Sequence, residues 1–175
     1  MARRTRHRGP AGVLLLLAAL AAGCGEPESP AARDVLVRVD RIAIDDNNVP
    51  VVVLEEEGGP RWLPIWIGSA EARSIALEME ARSSPRPNTH DLARALIRGL
   101  DASVARVVVT ELRDGTYYAI LGIALGERVV EIDARPSDAI AIALRDGAPI
   151  FVREILFERA DSPGEPSDTG PEHEI

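Results

Sequence analysis

The stretch EIDARPSDAIAIALRDGAPI, from Glu131 to Ile150, crowds Asp133, Arg135, Pro136, Ser137 and Asp138 together and then turns almost wholly apolar. Pro136 and Ser137 are helix-start residues, Asp138 suits the positive end of a helix dipole, and Gly147 suits a helix end. The spacing predicts a helix from about Pro136 to Arg145. Ala139 to Leu144 is apolar all round, so that helix is expected to lie buried against a sheet. A strand end carrying Asp133 and Arg135, followed at once by a helix start carrying Asp138, has the composition of an active-site edge as well as of a capped turn.

Upstream of this stretch the chain alternates strand-like and helix-like segments without an obvious repeat. DVLVRVDRIAI alternates with period two, VPVVVLEEE is a β-branched run, and RWLPIWIG is a third strand candidate in which Pro64 points to an edge or a bulge. Ser69 opens SAEARSIALEMEARSS as an expected N-cap, with Ala72, Ile75, Ala76 and Met79 on one face. A second helix is expected from Thr89 as N-cap, with Leu92, Leu96 and Leu100 as its core stripe. Between it and the quoted stretch, the turns RDGT (Arg113 to Thr116) and LGER (Leu125 to Arg128) divide a β-rich run into three strands. The expectation is a single α+β domain over residues 34–159, a mixed or antiparallel sheet with about three helices packed on it.

The ends of the chain read differently. Arg3, Arg4, Arg6 and Arg8 precede an apolar run from Val13 to Ala22 and then Gly23 and Cys24. That run is short of the roughly 20 residues that span a bilayer, so residues 1–23 read as a secretory leader. LAAGC resembles the lipobox of bacterial lipoproteins, with Leu20 one place early. This resemblance implies a lipidated Cys24, an exported protein and a membrane partner. Cys24 is the only cysteine, so it has no partner for an internal disulfide. Residues 24–33 read as a tether, and the polar, Pro- and Gly-rich residues 160–175 as a disordered acidic tail.

With the leader gone, 16 of the 20 basic residues remain against 28 acids, a formal charge of about −12. That balance argues against a broad, sequence-independent phosphate-binding surface. The chain has no lysine, which excludes a lysine nucleophile or Schiff base. No G-x-S-x-G elbow or H-E-x-x-H pair occurs, which argues against a conventional esterase or zinc protease.

Each predicted helix starts with an acid: Glu71 after Ser69, Asp91 after Thr89, Asp138 after Ser137. Acids there stabilise the dipole by a few tenths to about 1 kcal/mol and need no further role. His90 gains no such benefit as a cation, and a neutral imidazole at that place can accept a proton or bind a metal.

LPIWIGSAEA (Leu63 to Ala72), RPNTHDL (Arg86 to Leu92) and IDARPSDAIAIALRDGAPI (Ile132 to Ile150) resemble, in order and spacing, three signature stretches of the bifunctional nuclease family. The resemblance runs from about Val35 to Leu156. It implies action on DNA and RNA, and carries over Glu71, Arg86, His90, Asp91, Asp133, Arg135 and Asp138 as site candidates. Two features depart from it: Asn88, where an apolar residue is usual, and the export signal.

Phosphodiester cleavage needs an activated water, charge stabilisation on the phosphate and a proton for the leaving oxygen. His90, Asp138, Asp133 and Glu71 are the candidate catalytic groups, and Arg86 and Arg135 the candidate phosphate clamps. Asp133, Asp138 and Asp91 are candidate ligands for Mg²⁺ or Mn²⁺, which so many acids would need beside an anionic substrate. The competing reading is a binding or assembly lipoprotein, in which Arg135 bridges Asp133 and Asp138 as architecture. Nucleic acid, the membrane and a second copy in a homo-oligomer are the partners considered. The anchoring expectation is checked by fractionation: Cys24→Ser should leave the membrane fraction or accumulate as unprocessed precursor, and unchanged fractionation and processing would remove it.

Overall fold

The computed structural model describes residues 33–161. The expected leader, nearly all of the tether with Cys24, and all but the first two residues of the expected tail lie outside the described residues. The elements run β1 (Asp34–Ile44), β2 (Pro50–Glu56), β3 (Trp62–Trp66), α1 (Ser69–Met79), α2 (Thr89–Gly99), β4 (Ser103–Arg113), β5 (Thr116–Leu125), β6 (Arg128–Ala134), α3 (Pro136–Asp146), β7 (Ile150–Arg153) and α4 (Ile155–Asp161). The fold is α+β, with seven strands in one mixed sheet ordered β3-β2-β1-β7-β4-β5-β6 and four helices where about three are expected.

Two antiparallel three-stranded units make up the sheet, β1 to β3 and β4 to β6. β7 joins them, antiparallel to β1 through Val37↔Ile150 and parallel to β4 through Val107↔Ile150. The four residues of β7 are too few to show a period, and it is not among the expected strands. Both expected hairpins form. At the first, Asp114 and Gly115 have φ of 50° and 71°, the two positive values that a type I′ turn requires. Pro64 lies on edge strand β3, where its missing N–H costs no inner ladder bond.

Helix α3 is buried along nearly its whole length, with Ala139, Ile140, Ala141 and Ala143 fully covered. The reason is its position: it rests on β4 and β5 and is flanked by α1 and α2. Its end is set by Gly147 in the left-handed region, φ 68°, with Ala148 N–H returning to the Ala143 carbonyl at 3.0 Å.

The expected core stripe of α2 is corrected. Leu92, Leu96 and Leu100 are 55%, 60% and 71% exposed, while His90 is buried and Ala93 and Ile97 pack against the core. Because α3 covers β4 and β5, α2 leans on it from the side and only one row is covered. Leu96, Ile97 and Leu100 instead border an apolar cavity of about 380 Å³ with Ile123, Val130 and Ile132. Met79, expected on the covered face of α1, is also exposed and Leu144 of α3 is half-buried, whereas Ile75 and Ile140 are fully enclosed.

Truncation distinguishes these positions. Ile140→Ala should destabilise the domain by about 2–5 kcal/mol, and Leu92→Ala should stay within about 0.5 kcal/mol, both read from urea unfolding midpoints and slopes.

Candidate active site

Three helix starts converge on one cavity of about 480 Å³; α3 starts at Pro136 as expected, whereas α1 and α2 are capped by other residues than the sequence suggests. The N-cap of α1 is Gly68, not Ser69. A Cβ at Gly68 would overlap the Glu71 carboxylate, so glycine lets that side chain fold back over the helix start. The N-cap of α2 is Asn88, not Thr89. Its Oδ1 accepts from His90 N–H (2.9 Å) and Asp91 N–H (3.0 Å), and Asp91 Oδ2 accepts from Asn88 N–H (2.8 Å), a reciprocal capping box. Arg135 precedes α3, with Pro136 in its first turn.

Arg135 sits between two of these starts. Its Nη2 donates to Glu71 (2.7 Å) and Asp138 (3.0 Å), and its Nε donates to Asp138 (2.7 Å). Burial by itself would raise the Asp138 carboxyl, but hydrogen bonds from Arg135 and His90 outweigh it and hold the group below its ordinary value. Asp138 is therefore an ionised acceptor at neutral pH.

Behind Asp138 runs a chain of hydrogen bonds whose direction follows from donor and acceptor count. Both Asn88 Oδ1 contacts are to N–H donors, so its amide orientation is fixed and Nδ2 donates to Ser74 Oγ at 3.2 Å. Arg145 Nη2, which only donates, reaches the same oxygen at 2.9 Å. With two donors on its lone pairs, the Ser74 hydroxyl turns its single hydrogen toward His90 Nδ1, 2.9 Å away. Nδ1 is thus the acceptor and the ring hydrogen lies on Nε2, which faces Asp138 Oδ1 at 3.1 Å. The order is Arg145 and Asn88 to Ser74, Ser74 to His90, His90 to Asp138.

Arg145 holds the assembly from inside. Its side chain is 4% exposed, and it donates to Asp91 (2.6 Å), the Ala141 carbonyl (2.8 Å) and both Ser74 oxygens. The Asp91 carboxyl is held below its ordinary value first by Arg145.

Of the sequence-derived candidates, Glu71, His90, Arg135 and Asp138 line the same cavity. Asp91 turns to Arg145 and lines a neighbouring cavity of about 680 Å³. Asp133 lies on β6 opposite Ile120 and Arg86 on the exposed loop before α2; neither lines the cavity. The expected bridge from Arg135 to Asp133 is replaced by one to Glu71. Asp133, Asp138 and Asp91 are not brought together, and among the described residues no three His, Cys, Asp or Glu side chains group as a metal would require. Glu71 and Asp138 are both turned onto Arg135 instead, so the donor set does not fit a resident Mg²⁺ or Mn²⁺.

Sequence reasoning missed Ser74, Asn88 and Arg145, whose roles depend on which helices meet. It also missed Arg73, which lines the cavity and makes no hydrogen bond or ion pair among the described residues. An arginine in the last turn of an otherwise apolar helix was the one visible sign of Arg145.

Residues 52–165 match the family model described as the bifunctional nuclease domain. Uncharacterised proteins from two strains of Mycobacterium tuberculosis are 47% identical over 125 residues, covering 71% of this chain and 74% of theirs. Bifunctional nuclease 1 of Oryza sativa subsp. japonica and the bifunctional nuclease of Oryza minuta are 29% identical over 124 residues. The match covers 69% of this chain and 38% of those plant proteins.

The hydrogen-bond direction gives a spectroscopic expectation. Nitrogen-15 spectra of the His90 ring should show a single tautomer with hydrogen on Nε2 in the wild type. In Ser74→Ala the two tautomers should mix, and a ring carrying its hydrogen on Nδ1 in the wild type would contradict the assignment.

Proposed function

Because the chain belongs to the bifunctional nuclease domain family, we propose that it is a nuclease hydrolysing phosphodiester bonds of DNA, RNA or both. The observation that carries this reading is the meeting of Glu71, His90, Arg135 and Asp138 from three helix starts in one cavity, with Arg73, unpaired among the described residues, on its wall. The exposed Arg135 fork and Arg73 supply cations for the two non-bridging oxygens that share the charge of a phosphodiester. Asp138, 31% exposed and backed by His90, is the acceptor for the proton of an attacking water, and Glu71 lies across Arg135 from it. When phosphate takes over Arg135, Asp138 loses the cation that holds its carboxyl below its ordinary value, which raises its basicity as the substrate arrives. His90 is a donor here and supports Asp138; it is not the free base that its place in the sequence suggests.

One observation favours the non-catalytic alternative: Glu71 and Asp138 are already paired to Arg135, as in an architectural link. Against it, these groups share an open cavity instead of lying apart in the fold. Export and anchoring through Cys24 belong to the same proposal and rest on the leader sequence.

The chain starting after Cys24 should cleave single- or double-stranded DNA or RNA, assayed with and without EDTA. Asp138→Asn should lower turnover at least about a hundredfold per folded molecule, whereas a purely architectural Asp138 would lower the folded fraction and leave turnover per folded molecule unchanged. No cleavage above a mock-purified control would remove the catalytic reading.

A further inference from the structure

Arg135 borders a second cavity, which Glu71 does not line. It measures about 410 Å³ and is walled by Trp66 and Ile67 from the end of β3, Thr116 and Tyr117 from the start of β5, and Pro136. The chain is 3% aromatic, with two tryptophans and two tyrosines, and one of each lines this cavity. Trp66 is 56% exposed, yet it is held in place. Its Nε1 donates to Asp45 Oδ2 at 3.0 Å, and Asp45 Oδ1 is engaged by Asn47 and Val49 N–H at 2.9 and 2.8 Å. An indole that is exposed and also fixed by a hydrogen bond at its edge presents a ready face at low ordering cost.

We propose that this cavity is a nucleobase subsite, in which an unpaired base stacks on Trp66 while the phosphate joined to the same nucleotide lies on Arg135. This deepens the nuclease reading and rests on it. Three observations define the substrate class. The shared guanidinium makes the aromatic wall and the phosphate site adjacent within one nucleotide. Trp66 and Tyr117 offer flat faces beside aliphatic side chains, with Thr116, Ser137 and Arg135 as the polar part of the wall, so the subsite takes any base by its flat face. A base inside a duplex is stacked on both sides and has no face to offer, so single strands, loops and ends are the favoured substrates.

The test uses tryptophan emission and equilibrium binding with short DNA oligonucleotides in EDTA. Wild-type protein and Trp62→Phe should both show quenching on binding single strands. Trp66→Leu should lose the quenching and bind on the order of tenfold or more weakly, and Trp66→Phe, which keeps a stacking face, should retain most of the affinity. A single strand with an abasic site in place of each base should bind wild type about as weakly as the intact strand binds Trp66→Leu. Binding and cleavage that proceed normally with Trp66 emission unchanged, and with intact, duplex and abasic strands bound equally, would overturn the subsite and leave the nuclease reading standing. A wild-type chain that neither binds nor cleaves any nucleic acid would overturn both.

Discussion

A guanidinium taken out of water needs a partner for nearly every N–H, and Arg145 finds its partners on three helices at once. Its partners are a carboxylate at the start of α2, a carbonyl of its own helix, and the carbonyl and hydroxyl of Ser74 in α1. Removing one partner from such a buried ion costs about 3–5 kcal/mol, so the three helices are held to a single mutual arrangement. The candidate site lies just beyond, and its geometry depends on that arrangement. Ser74 is 3% exposed and His90 8%, so neither has room to turn without disturbing the buried cation.

The directional run of hydrogen bonds from Arg145 to Asp138 reconciles a charge problem visible in the composition. The protein is strongly acidic, and a cavity lined with carboxylates would repel a polyanion. Arg135 balances Glu71 and Asp138 in place, and Arg73 adds a cation without a partner among the described residues, which leaves the cavity lining no more negative than it is positive. Fixed donors that need no rearrangement when charge moves are the arrangement that polar catalysis exploits.

The sequence reading carried most of the architecture and about half of the site. The period-two run of β1, the two hairpin turns and the apolar α3 are local signals, and they appear where their residues imply. β7 has no local signal, because its identity as a strand comes from the edges of β1 and β4 that receive it. The leucine row of α2 misled for a related reason: a helical face shows which side is apolar, and only the crowding around α3 decides which side is covered. Within the site, Glu71, His90, Arg135 and Asp138 were legible as charged residues at helix starts. Asp133 and Asp91 stand just as close in sequence and point elsewhere. Ser74 could not be found in advance, since a serine in mid-helix signals nothing until a histidine from another helix arrives beside it.

The late position of β7 also sets an order of assembly during synthesis. The units β1 to β3 and β4 to β6 can each pair internally, but they have no hydrogen-bonded contact in the sheet until residues 150–153 have left the ribosome. At translation speeds of about 5–20 residues per second, the first unit waits on the order of ten seconds for its link to the second. Throughout that interval β1 presents an open backbone edge, and α1 lacks α3, the helix it packs against. The nascent chain is thus kept from premature closure by topology alone, and an interval of exposure to chaperones and proteases is built into the order of its strands.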